Sequence, residues 1–185
     1  LHSLRRRQRQ MCIRDRGYDL PKGLGDYGLD VERLVELPRK KPYVLFLHGT
    51  TWDTKHWPEV YWRDLALRMG HMGVEVRLPW GNPAEKARAE RIADGLSNAV
   101  VLPKLNLAGV AKVLASASAC VAVDTGLGHL AAALDVPTIS LFGPTNPGLT
   151  GAYGKVQIHL ASDFPCAPCL QKKCTYTPTA QDQQR

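Results

Sequence analysis

Residues 120–143 read CVAVDTGLGHLAAALDVPTISLFG. CVAVD (120–124) is an apolar run that ends on a carboxylate, GLGHLAAALD (126–135) is helical in composition, and PTISLFG (137–143) is a second apolar run. Two strand-length runs flanking a short helix predict one βαβ unit with parallel strands. The same alternation continues upstream. YVLFLH (43–48) reads as a buried strand, and Pro58 opens a helix whose apolar face is Trp62, Leu65, Ala66 and Met69. VEVRLPW (74–80) is the next strand, and Asn82-Pro83 supplies a cap and first-turn proline for AEKARAERIADG. AVVLP (99–103) follows as a strand, then NLAGVAKVLASAS as a helix capped by Asn106. VQIHLA (156–161) is a candidate sixth strand. Near-continuous apolar strands are what a sheet covered on both faces requires. The predicted fold class is therefore α/β, a Rossmann-like doubly wound parallel sheet. Ligands of such sheets bind beyond the carboxyl ends of the strands, so the loops there carry the functional candidates.

The chain has 185 residues, 44% of them hydrophobic, enough for one domain with a packed core. No apolar run reaches the ~18 residues of a membrane span, and no apolar h-region follows the N-terminal arginines. A soluble cytoplasmic protein is the expectation. The formal charge of +7 is unevenly placed: residues 1–16 carry six Arg and one Asp, and the remainder nets +2. A nucleic-acid partner is not expected on that balance. Arg6 to Arg16, RRQRQMCIRDR, resembles one reading frame of a transposon-type sequencing adapter. Residues 1–16 are accordingly set apart as a non-native, adapter-derived tail. Residues 17–42, rich in Gly, Pro and charge, read as an interdomain linker, 43–165 as the ligand-binding domain, and 166–185 as a cysteine-containing C-terminal segment. The expectation is a chain truncated at both ends.

The loop after the first strand is His48-Gly49-Thr50-Thr51-Trp52-Asp53-Thr54-Lys55. Two hydroxyls, small backbone and a lysine just before a helix suit a phosphate; a threonine-rich capped turn with a solvated lysine is the alternative. The loop after the fourth strand is Asp124-Thr125-Gly126-Leu127-Gly128-His129. A carboxylate ending an apolar strand is costly without a partner, and Gly126 and Gly128 leave the first helical turn bare for a ligand. Asp124 capping the helix with His129 packed beside it is the competing reading. GxGxxG after the first strand, a Walker motif, GxSxG and HExxH are all missing from the sequence, so dinucleotide binding and nucleophilic hydrolysis lack their usual parts.

The segments FLHGTTWDTKHWP, LPWGNPAE, VLPKLNLAGVAKVLA, VDTGLGHLAAALDVPTISLFGPTNP and YGK, in that order over residues 43–160, resemble the C-terminal domain of lipopolysaccharide heptosyltransferases, most closely the heptosyltransferase I branch. These are ADP-heptose glycosyltransferases of the GT-B fold, glycosyltransferase family 9. The resemblance implies a donor-binding half of an enzyme that transfers heptose from ADP-heptose to the Kdo-lipid A inner core. It implies that Thr50 and Thr51 hold the diphosphate and that Lys55 neutralises it near the leaving group. Glu85 would accept from the ribose hydroxyls, Leu105 would lie against the adenine, and Asp124 would orient the heptose hydroxyls. Thr125 and Gly126 would bring amides to the phosphates beside His129. Lys55 and Asp124 are the residues expected to act on the reacting sugar phosphate. The general base and the Kdo-lipid A acceptor belong, by the same resemblance, to an N-terminal domain, so this half is expected to be inactive alone and peripheral to the inner membrane. No cofactor is expected. A related GT-B enzyme with another nucleotide sugar, and a binding-only nucleotide-sugar domain, are the alternatives.

Cysteines stand at 12, 120, 166, 169 and 174. Cys120 lies in an apolar strand and reads as a small core residue. Cys166, Cys169 and Cys174 offer three thiols, one short of the usual zinc tetrahedron, with His159 as a candidate fourth ligand. Reduced structural thiols without metal are the expectation, and a disulfide is disfavoured in a cytosolic setting.

Overall fold

The computed structural model describes residues 27–35 and 41–177. The tail 1–16, part of the linker and the end of the C-terminal segment lie outside the described residues. Six strands are formed: β1 (Tyr43–Leu47), β2 (Glu75–Leu78), β3 (Ala99–Val101), β4 (Ala119–Val123), β5 (Thr138–Phe142) and β6 (Gln157–Ala161). Five helices alternate with them: α1 (Glu59–His71), α2 (Pro83–Ala93), α3 (Leu107–Ala115), α4 (Gly126–Ala133) and the four-residue α5 (Pro147–Thr150). All strand pairs are parallel, in the order β3-β2-β1-β4-β5-β6. The doubly wound sheet expected from the sequence is the fold. The candidate sixth strand pairs with β5 along its whole length, from Thr138↔Gln157 to Phe142↔Ala161.

Local signals account for several helix ends. Asn82 caps α2 by accepting from the Glu85 amide, with Pro83 at the first helical position; Asn106 caps α3 by accepting from the Gly109 amide. Helix α4 stops short of the sequence expectation. Asp135 adopts a positive φ of 53°, and the amides of Asp135 and Val136 turn back onto the carbonyls of Ala132 and Ala131. Aspartate tolerates that conformation better than most residues, and the paired bonds close the helix as a glycine cap would.

Every residue of β1 is buried, and its alternate side chains enter two different cores. Leu45 and Leu47 join Leu114 of α3, Cys120 and Ala122 of β4 and Ala131 of α4. Val44 and Phe46 join Trp62 and Ala66 of α1, Val76 and Leu78 of β2 and Ile92 of α2. Leu65 and Met69 complete the predicted apolar face of α1 as half-buried neighbours. Each fully buried Leu, Ile or Phe contributes ~1.5–3 kcal/mol of apolar burial. Helices α1 and α2 thus cover one face, and α3 and α4 the other. The change of face falls between β1 and β4, where the loops leaving the two strands diverge and open a crevice. Among the described residues no helix is long and apolar enough to cross a membrane.

Candidate functional site

A cavity of about 660 Å³ occupies that crevice. Thr50, Thr51, Lys55, Glu85, Leu105, Asp124, Thr125, Gly126 and His129 all line it, so the structure brings every site residue predicted from the sequence to one place. His48, Trp80 and Thr150, which the motifs did not single out, line it too.

The loop after β1 makes a single 3-10 turn, Asp53–Lys55, that turns Lys55 back over the end of β4. Its ammonium lies 2.9 Å from Asp124 Oδ2 and 4.5 Å from the centroid of the Trp52 ring. The pair is largely withdrawn from water, with side-chain exposures of 14% for Lys55 and 8% for Asp124. The same carboxylate oxygen accepts from the Thr145 hydroxyl at 2.6 Å and from the Thr150 hydroxyl at 3.4 Å. Neither threonine was predicted, because both arrive on the loop and short helix after β5. Thr50 donates its hydroxyl proton to the Asp124 carbonyl at 3.0 Å, joining the two strand ends. Its remaining donor toward an anion is therefore its backbone amide.

Across the crevice, Thr125 occupies the N-cap position of α4 without a side-chain cap bond. The Gly128 amide turns back onto the Thr125 carbonyl at 3.1 Å, which leaves the amides of Gly126 and Leu127 for a ligand at the positive end of the helix dipole. Nothing lies within 4 Å of where a Cβ on Gly126 would project, as expected for a residue facing open space. Gly128 behaves differently from its sequence expectation. It is buried on the sheet side, where a Cβ would meet the Ala122 methyl at 3.7 Å and Ser140 Oγ at 3.9 Å, so it serves helix–sheet packing. His129 is exposed at the cavity rim.

The third wall comes from the turn between β2 and α2. Glu85 Oε2 accepts from the Gly81 amide at 2.7 Å, which holds the carboxylate at the start of α2. Trp80 donates its indole N–H to the Leu102 carbonyl at 2.6 Å, and its ring shares the cavity wall with Leu105, Leu107 and Val110. A flat apolar wall beside a carboxylate, opposite a cationic and amide-rich loop, can take a nucleoside diphosphate in extended form. His48 forms part of the floor at 1% exposure, with both ring nitrogens enclosed. Burial, reinforced by the Arg88 guanidinium, pushes its pKa down to about 4, so the imidazole is neutral. His56 beside it is shifted in the same direction, again chiefly by burial.

The C-terminal segment packs behind the β1 loop, with Thr54 donating to the Gln171 carbonyl at 2.6 Å and Lys172 5.6 Å from the Trp52 ring centroid. Cys166, Cys169 and Cys174 are free thiols, and among the described residues no three His, Cys, Asp or Glu side chains are grouped to hold a metal. His159 sits edge-on to Phe142.

Known proteins resemble this chain in sequence and fold. The profile of glycosyltransferase family 9 (heptosyltransferase) matches residues 6–180. Lipopolysaccharide heptosyltransferase 1 of Pseudomonas aeruginosa is 68% identical over 95% of this chain and 50% of its own length. The Escherichia coli K12 protein of the same name is 49% identical over 82% of this chain and 48% of its own. Among solved structures, the E. coli heptosyltransferase WaaC with ADP has a TM-score of 0.77 at 45% identity, covering 85% of this chain and 49% of that one. The same enzyme with ADP-2-deoxy-2-fluoro heptose gives 0.72 at 44% identity, covering 84% and 48%. The chain spans about half the length of the curated relatives it matches.

Proposed function

Because the chain belongs to glycosyltransferase family 9, we propose that it carries the donor-binding half of a heptosyltransferase that moves heptose from ADP-heptose to the Kdo-lipid A inner core of lipopolysaccharide. The observation that carries this reading is that one cavity, at the β1/β4 seam, is lined by all nine residues that the motifs mark. One relative, the E. coli heptosyltransferase WaaC, has solved structures with ADP and with ADP-2-deoxy-2-fluoro heptose.

In this reading the adenine lies against Leu105 and the Trp80 side of the cavity, and Glu85 accepts from the ribose hydroxyls. The diphosphate bridges the amides of Thr50 and Thr51 and those of Thr125 and Gly126. Lys55 turns from Asp124 to the phosphates, and His129 flanks them at the rim. Positive charge and fixed donors then stand where negative charge grows as the C–O bond to the leaving ADP breaks. Asp124, relieved of Lys55, accepts from a heptose hydroxyl and sets the angle of the anomeric carbon. The acceptor and the base that deprotonates it are assigned outside the donor cleft, and work at the cytoplasmic face of the inner membrane follows from a lipid-linked acceptor.

Titration calorimetry of the chain with ADP, ADP-heptose, UDP-glucose and GDP-mannose tests the reading. ADP-heptose should bind more tightly than ADP, and the uridine and guanosine sugars at least tenfold more weakly. Equal binding of all four, or none, overturns it. Selective binding of another nucleotide sugar would instead favour a related transferase, with Glu85 and Asp124 reading a different donor.

A further inference from the structure

Asp124 Oδ2 gathers every contact that the carboxylate makes among the described residues: Lys55 at 2.9 Å, Thr145 at 2.6 Å and Thr150 at 3.4 Å. The other oxygen is thereby the one left for a ligand. These partners are not equivalent. Lys55 has a competing task at the diphosphate, and Thr150 is exposed, with its hydroxyl shared at 3.4 Å with the Asn146 carbonyl. Thr145 is 3% exposed and makes the shortest contact of the three.

The stretch leading into Thr145 is anchored twice. The Pro144 carbonyl accepts from the Leu170 amide at 2.8 Å, and the Phe142 carbonyl accepts from the Ser162 amide at 2.7 Å. The cap of the following helix is already supplied by Asn146, which accepts from the Gly148 amide. Local structure therefore has no use for the Thr145 hydroxyl, and its one hydrogen bond goes to the carboxylate.

We propose that Thr145 is a positioning residue for recognition of the donor sugar: it holds Asp124 Oδ2 in place while Lys55 leaves for the diphosphate, and so keeps the other carboxylate oxygen aimed at a sugar hydroxyl. This rests on the donor reading above. A carboxylate released by its lysine with no second anchor would rotate, and the hydroxyl contact would be lost with it. The nucleotide's own contacts are on other residues and are unaffected.

The test is calorimetry of the full chain with ADP and with ADP-heptose, for the wild type, Thr145→Val and Thr145→Ser. Valine keeps the shape and removes the donor. The expected result is ADP affinity within twofold for all three proteins, with the preference for ADP-heptose over ADP reduced roughly fivefold or more in Thr145→Val, the size of one ordinary hydrogen bond, and retained in Thr145→Ser. Should the valine variant not fold, Thr145→Ala carries the same expectation. Equal weakening of both ligands, or an undiminished preference in the valine variant, overturns the role of Thr145 and leaves the donor reading standing. A wild type with no preference for ADP-heptose overturns both.

Discussion

Gly49 and Glu85 compete for one small volume: a Cβ on Gly49 would lie 2.9 Å from both Cδ and Oε1 of Glu85. Gly49 has no positive φ, so its glycine provides room rather than an unusual backbone. Gly49→Ala should push the flexible carboxylate away and break its bond to the Gly81 amide. ADP binding should weaken by about 1.5–3 kcal/mol, as for a lost hydrogen bond to a charged group, while stability changes by less than about 1 kcal/mol because only a side-chain end moves. Adding Glu85→Ala should cost no further affinity. Calorimetry checks both, and additive losses would show that the two residues act separately.

The shared oxygen of Asp124 gives the two members of its ion pair opposite behaviour. Lys55→Ala should weaken ADP by roughly 1.5–3 kcal/mol and lower stability, since a nearly buried carboxylate loses its counter-charge. Asp124→Asn removes what holds Lys55 back, so ADP affinity should be unchanged or slightly higher, while the preference for ADP-heptose falls. Equal losses for the two ligands in Asp124→Asn would mean that Asp124 shapes the loop and does not read the sugar.

Acid should destabilise the fold through His48. Its pKa is pushed from the usual 6.5 to about 4 by burial and then by Arg88, so between those values the unfolded chain binds a proton that the folded one does not. This contribution to stability is full above pH ~6.5 and falls away as pH drops toward 4, by up to about 3 kcal/mol on the linkage relation. His48→Gln should flatten that limb of the stability profile, measured by urea unfolding from pH 7 to 4. Parallel profiles for wild type and variant would refute the assignment.

Thiol chemistry should separate the cysteines. Burial raises the Cys120 thiol to about 12, whereas Cys174 is exposed. Cys174 should react with an aromatic disulfide reagent at pH 8 within minutes, and Cys120 only after unfolding. Zinc measured by elemental analysis should be far below one equivalent. A full equivalent whose chelation lowers the melting temperature would overturn the metal-free expectation for Cys166, Cys169 and Cys174.

Strand and cap positions were legible because they depend on neighbours in sequence: Asn82 and Asn106 each cap the helix that follows them. The two cavity loops were legible for a related reason, since both leave strands at the same sheet edge. Which other groups would reach Asp124 was not. Thr145 and Thr150 meet it from 21 and 26 positions away, on a loop whose course depends on its packing against the C-terminal segment. A histidine at a strand end carries no spacing pattern, and the burial of His48 is visible only once both ring nitrogens are seen enclosed. Gly128 was misread because glycine is chosen equally for open approach and for tight packing, and only the neighbouring Ala122 and Ser140 decide between them.

In the sheet, Tyr43 pairs with Glu75 and Cys120 with Thr138, but Val44 pairs with Ala119, 75 positions later in the chain. The cavity straddles that most distant of the strand seams. Closing such a long stretch of chain carries the largest entropic cost, so the seam is slow to form relative to the local βα units on either side. A nucleotide gripping the loops at both strand ends acts as a clasp on a junction that assembles late. It should lengthen the lifetime of the native state by slowing unfolding, with little effect on the rate of folding.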